Sequence, residues 1–317
     1  MATLSIGTTF SDRVEALLDG RVAIEGHAAE IRIVEAQTLF RQVMREAAYD
    51  VAELSMGSHI ARVAAGKRDY VAVPVFLSRS FRHANLYVRT DRGIDRPEDL
   101  AGRRIGTVDY QQTAGLWLRG MLADDHGVTR GSIDWVAAGL HAPVLENRAA
   151  MMLPDGIRVE RSAGTLDALL AEGAIDAVMS PGAPRCFLQG TAPVARMWPE
   201  PRIAELGYWR RTRLFPIMHV LVVRRALVDA HPDLPHALHA AFEEARRLAA
   251  ADLIARDFPK VALPWLSDHA NAARAALGGD PWTYGLEANR ATLATMLRYA
   301  EADGLTPRRL TPDALFA

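Results

Sequence analysis

Two of the ten histidines stand where an acid–base catalyst could work. One is His83, in Phe81-Arg-His83; the other is His219, in Arg210-Arg-Thr-Arg-Leu-Phe-Pro-Ile-Met-His219. Imidazole titrates near neutral pH, so either can give or take a proton. Arginines gather before both: Arg79 and Arg82 before the first, Arg210, Arg211 and Arg213 before the second, with Arg185 in Ser180-Pro-Gly-Ala-Pro-Arg185. A guanidinium fork grips a carboxylate with two parallel hydrogen bonds. A third group is the turn Asp109-Tyr-Gln-Gln-Thr113, where Tyr110, Gln111 and Gln112 offer a phenol and two amides and Thr113 starts a helix. A strand end followed by a helix start is a natural anion site. Ser55 and Ser58 follow another strand in the same way. Together these residues suit the binding of a small anion beside an imidazole. His83 and His219 are the candidate catalysts. Ser55, Ser58, Arg82, Tyr110, Gln111, Gln112, Thr113, Arg185 and Arg211 are the candidate binding residues.

Plainer roles compete for the same residues. His219 has apolar neighbours in a strand and suits a satisfied core histidine equally. Arg82 and His83 cannot both face a ligand if that stretch is extended, because successive side chains alternate. Arg210 to Arg213 suit a helix C-terminus, and Thr113 suits a cap. Trp282 and Tyr284 read as packing for the last helix. Other catalytic signatures are missing. Gly66-Lys67 lacks the rest of a phosphate-binding loop, and Glu53-Leu-Ser-Met-Gly57 lacks the first glycine of a nucleophile elbow. His236, His239 and Glu243 share helical spacing, but a solvated helix face explains them, and no metal is expected.

At 317 residues the chain exceeds the size of most single cores, so two lobes are expected. A net charge of −1 gives no case for nucleic acid or an anionic membrane as partner. The single cysteine, Cys186, rules out an internal disulfide. Charges interrupt every apolar run, so no membrane span is expected. Met1-Ala-Thr-Leu-Ser-Ile-Gly7 has neither a basic start nor an apolar stretch of signal-peptide length, which leads to an expected cytoplasmic location. The sequence is compatible with a homo-oligomer.

The elements that must position these groups alternate between strand and helix. Leu4–Thr8, Ile31–Val34, Val51–Leu54 and Tyr70–Phe76 read as strands, with helices after Ser11, Thr38 and Ser58. A strand over Asn85–Arg89 follows, then a capping box in Asp95-Arg-Pro-Glu98. A second series runs through Arg104–Thr107, Ile133–Val136, Ile157–Glu160 and Ile175–Met179, with Thr165 as a cap and Gly173 as a stop. Phe215–Val223 is a long return strand, and helices cover Leu234–Ala255, Ala270–Leu277 and Tyr284–Ala302. The expected fold class is α/β, two lobes with mostly parallel sheets flanked by helices and a ligand cleft between them. Residues 1–86 and 216–317 form the first lobe and residues 87–215 the second.

Phe81-Arg-His83, Asp109–Thr113, Arg210–His219 and Asp280-Pro-Trp-Thr-Tyr-Gly-Leu-Glu287 together resemble the 4,5-dihydroxyphthalate decarboxylase family. The resemblance implies a type II periplasmic-binding-protein-like fold and conversion of 4,5-dihydroxyphthalate to protocatechuate and CO₂. Such a reaction needs no cofactor in principle. A hydroxyl para to the carboxylate pushes electrons into the ring, an acid protonates the ipso carbon, and CO₂ leaves. His83 or His219 would serve as acid and base, Arg82, Arg185 or Arg211 would hold carboxylate, and Tyr110 would meet the ring hydroxyls. Leu77, Ala84 and His141 depart from the family pattern and bear on the substrate rather than the fold. The rival readings are a non-catalytic binding protein of an ABC transporter for a small aromatic carboxylate, and a related enzyme for another hydroxylated aromatic acid.

Overall fold

The computed structural model describes Thr3–Pro143 and Leu153–Phe316. Among these residues the strands are β1 (Leu4–Thr8), β2 (Ala29–Ile33), β3 (Val51–Ser55), β4 (Tyr70–Arg79), β5 (Leu86–Arg89), β6 (Arg104–Thr107), β7 (Asp134–Ala137), β8 (Val159–Arg161), β9 (Ala177–Met179), β10 (Val194–Arg196) and β11 (Ile217–Arg224). They form two sheets, ordered β2-β1-β3-β11-β4 and β10-β5-β9-β6-β7-β8.

The chain groups into two units. The first holds Met1–Arg79, Ile217–Leu293 and Thr311–Ala317, and the second holds Ser80–Pro216 and Ala294–Leu310. The sequence reading kept residues 216–317 together, whereas Ala294–Leu310 groups with the second unit. Two contacts show why. Tyr299 lies directly over Gly120, where a Cβ would meet its ring at 2.2 Å, and stands edge-on to Trp117 at 5.6 Å. Asp303, fully buried, accepts hydrogen bonds from Arg119 Nε (2.9 Å) and Nη2 (2.6 Å) and from Arg130 Nε (2.6 Å).

Both sheets are mixed, each with a single reversed strand. β11 runs antiparallel to β3 and β4, and β5 runs antiparallel to β9 and β10. Each reversed strand is the first that the chain lays down on entering a unit from the other. In the first unit, the amphipathic helix Ala36–Glu46 packs on β3, and the helix Leu234–Asp252 covers β4 and the helix Asp12–Leu18. In the second, the helix Thr113–His126 is buried from Thr113 through Leu122, which accounts for its lack of a polar face.

Local signals are carried out with small shifts. Thr165 caps its helix by accepting from the Ala168 N–H, and Gly173 ends it in the left-handed conformation. The capping box moves one residue on, because Pro97 is the first helical residue: Asp99, not Glu98, accepts the N–H groups of Asp95 and Arg96. Gln112 rather than Thr113 is the N-cap of its helix. The last helix starts at Arg290, and the expected start at Tyr284 is instead an irregular segment held against β4.

Candidate active site

All five residues of β3, Val-Ala-Glu-Leu-Ser, are buried, and one of them is an acid. Glu53 is 1% exposed, a position a carboxylate holds only when it is paired. Its Oε2 accepts from Thr8 Oγ1 (2.9 Å), Thr9 N (2.8 Å) and Thr9 Oγ1 (2.8 Å) at the end of β1. Its Oε1 accepts from His219 Nδ1 at 2.6 Å. Strand register explains the meeting. His219 lies opposite Ser55 and Leu221 opposite Glu53, so Glu53 and His219 are diagonal neighbours on one face of the sheet. Burial alone would raise the Glu53 pKa. The hydrogen bond and charge of His219, with the Thr9 donors, outweigh burial and hold it below the usual carboxylate value. With Nδ1 committed to Glu53, Nε2 is the imidazole nitrogen left for chemistry. The Phe40 ring meets the imidazole edge-on at 4.9 Å and fixes its plane.

On the other side of His219 the ladder is broken. His219 pairs with Ser78, but Leu221 pairs with Val73, so four residues of β4, Pro74 to Leu77, lie opposite Val220 alone. Pro74 cannot donate to a ladder, and an edge strand tolerates such a bulge. Its carbonyls find other donors: Gly285 N to Pro74 O (2.8 Å), Trp282 Nε1 to Phe76 O (3.1 Å) and Arg13 Nε to Leu77 O (3.0 Å). Beside the imidazole lies an open pocket of about 500 Å³, lined by Thr9, Ser11, Arg13, Val34, Glu35, Leu77 of the bulge, Ser78 and His219 among others. Arg13 is the cation in that lining. The cavity thus combines a carboxylate-backed imidazole, hydroxyls and one guanidinium, a set able to bind an acid and protonate it.

Of the residues singled out in the sequence, His219 lines this cavity, and Ser55 sits beside it in register, buried at the end of β3. Ser58 is half-buried on the first turn of the helix Met56–Ala64 and does not line it. The other candidates belong to the second unit, and most of them stand at one or the other end of a single helix. Tyr110 to Thr113 stand at the start of the helix Thr113–His126, about 20 Å long at the usual rise. His83 and Arg211 belong to its far end, where they share a depression of about 380 Å³ with Asp125, His126 and Trp198. The length of that helix separates them from the turn.

His83 is buried against Trp198 (5.0 Å) and Tyr208 (5.5 Å), and its Nδ1 has no hydrogen-bond partner among the described residues. Burial first, then the nearby charges of Arg211 and His126, push its pKa down to about 4. Arg211 is exposed and bonded to Asp125 (2.8 Å). Arg82 donates to Asn85 Oδ1 at 3.3 Å, and Arg185 is exposed at the start of a short helix. Tyr110 does not present its phenol to solvent. It is buried with its ring against Trp135 (5.6 Å) and under the Arg119 guanidinium (3.9 Å), and burial raises its pKa to about 12. Gln111 and Gln112 are half-buried and Thr113 is buried. Arg79 is a structural tie: it donates to Thr283 O (2.7 Å) and to Asn289 Oδ1. Glu243, of the helical His/Glu set, accepts from Arg246 (2.6 and 2.8 Å).

The architecture, two sheet-and-helix units each completed by a strand returning from the other, is that of a type II periplasmic-binding-protein fold. A periplasmic sulfonate-binding protein of an ABC transporter from Methylobacillus flagellatus has this fold, with a TM-score of 0.59 and 15% identity over 100% of this chain and 92% of that one. Residues 12–150 match the family described as ABC transporter, phosphonate, periplasmic substrate-binding protein. The chain belongs to the 4,5-dihydroxyphthalate decarboxylase family. It is 40% identical over 315 residues to the 4,5-dihydroxyphthalate decarboxylase of Comamonas testosteroni, covering 99% of this chain and 96% of that one. A second 4,5-dihydroxyphthalate decarboxylase, from Pseudomonas putida, is 39% identical over 209 residues, 65% of this chain and 81% of that one. Among the described residues no helix is long and apolar enough to cross a membrane.

Proposed function

We propose that this protein decarboxylates 4,5-dihydroxyphthalate to protocatechuate and CO₂, with His219 as the general acid. The observation that carries the assignment of His219 is its bond to buried Glu53 at the wall of a cavity that also holds a cation. Membership of the family supports the substrate. In this reading the Arg13 guanidinium holds the carboxylate that is retained. The hydroxyl para to the other carboxylate pushes electrons to the ipso carbon. His219 Nε2–H delivers its proton there, the C–C bond breaks, and its electron pair restores the aromatic ring as CO₂ departs. Glu53 stabilises the imidazolium before transfer and holds the tautomer, and water then returns a proton to Nε2. His83 takes a packing role. The reading assigns the protein to the cytoplasm and to the breakdown of phthalate-type diacids, which fractionation of cells by activity would check.

Purified protein incubated with 4,5-dihydroxyphthalate should release protocatechuate and CO₂ in equal amounts. In D₂O, one deuterium should appear at the vacated ring carbon. Tight binding without turnover would overturn the reading in favour of a solute-binding protein, the alternative that the phosphonate-binding match favours.

A further inference from the structure

We infer that Trp282 is a positioning residue for Arg13 and so for the carboxylate that the enzyme retains; this rests on the proposed decarboxylation. The indole is fixed at both ends. Its N–H donates to Phe76 O in the β4 bulge, and the Trp282 backbone N–H donates to Asp280 Oδ1 (2.9 Å). Asp280 is itself anchored by Arg246. The Arg13 guanidinium lies over the indole ring, 4.2 Å from its centroid, while its Nε donates to Leu77 O of the same bulge. Nη1 is bonded to Asp12 at 2.6 Å. A long side chain with many rotamers is thereby held in one by a flat aromatic surface on one side and a carbonyl on another. The sequence reading gave Trp282 to the last helix. Its place against β4 gives it a different task, because the carbonyls that Trp282 and Arg13 occupy exist only where β4 leaves its ladder beside His219. The bulge, the indole and the guanidinium form one unit. Loss of the indole frees the guanidinium to swing while His219 and Glu53 stay in register.

The test is a double-mutant cycle on Arg13→Met and Trp282→Leu, read by KM and kcat for 4,5-dihydroxyphthalate and by the calorimetric Kd for phthalate. Phthalate carries the same two carboxylates without the hydroxyls that drive the reaction. Arg13→Met should raise KM and the phthalate Kd by about 50-fold, as for loss of a charge-assisted contact. Trp282→Leu should raise both by about 5- to 10-fold and change kcat by less than about twofold. The double variant should bind no worse than Arg13→Met alone, because the indole acts through the guanidinium. Trp282→Phe, which keeps a ring under Arg13, should recover most of the loss. Trp282→Met gives the same comparison if the leucine variant folds poorly. Losses that multiply in the double variant, or a fall in Tm and kcat with KM unchanged, would overturn the inference. If the wild type shows no turnover, the proposed reaction fails, while the phthalate Kd values still decide the role of Trp282.

Discussion

His83 and His219 are both flanked by arginines and aromatics in the sequence, and the structure gives them opposite surroundings. His219 is half-buried, backed by a carboxylate at 2.6 Å, and lines a cavity with a cation. His83 is buried between Trp198 and Tyr208 with no partner at Nδ1, and its pKa is pushed down to about 4. The first environment backs the imidazole with a carboxylate; the second, by burial, disfavours the protonated form. In the proposed mechanism, proton donation depends less on the histidine than on the acid behind it. Here that acid comes from the middle of β3.

The sharpest way to break the comparison is to exchange the two losses. His219→Asn should lower kcat by about 10³-fold, the range for removal of a general acid, whereas His83→Phe should cost less than about threefold. The opposite ranking would move the chemistry to the second unit. Glu53→Gln keeps the shape but removes the charge, and should lower kcat by about 10- to 100-fold with little change in KM.

A stability measurement sharpens the contrast from the other side. His83 is pushed down to about 4, and so is His59, whose buried Nε2 lies 2.8 Å from Leu315 O. For both, burial is the largest cause. A depressed histidine binds fewer protons folded than unfolded near pH 5. Its stabilisation is therefore complete above about pH 6.5 and is lost as pH falls towards 4. Each should contribute a loss of about 2–3 kcal/mol over that window by denaturant titration, and His83→Phe should remove its share. Glu53, also depressed, adds its loss only below the ordinary carboxylate range, in the same direction. Arg211→Ala should do least. Its exposed pair with Asp125 is worth under about 1 kcal/mol, and turnover should stay within about twofold.

Much of the fold was legible because its signals are local. The periodicity in Ala36–Glu46, the Thr165 cap and the Gly173 stop each act within a few residues, and the structure uses all three. The candidate site was half legible. His219 stood out by type. Glu53 did not, because its partner lies 166 residues away and their meeting depends on β11 entering between β3 and β4. One signal was present: an acid inside an otherwise apolar strand must be paired. Arg13 was hidden for a similar reason. On the helix Asp12–Leu18 it looks like a solvated charge, and only the β4 bulge gives it a carbonyl to bind. Tyr110 was misplaced because a strand-end turn predicts exposure, while the Arg119–Asp303 ion pair draws that ring inward.

The position of β11 also has a consequence during synthesis. β3 and β4 emerge early, yet the strand that joins them ends at Arg224, 145 residues after Arg79 closes β4. At elongation rates of roughly 5–20 residues per second, that interval is about 7–30 s. Throughout it the nascent chain carries β3 and β4 with facing edges unfilled and Glu53 without its imidazole. The histidine that completes the pair arrives on the very strand that seals the gap, so the Glu53–His219 pair and a finished sheet appear in the same step. A ribosome stalled before residue 217 would leave two open strand edges ready to pair with another chain.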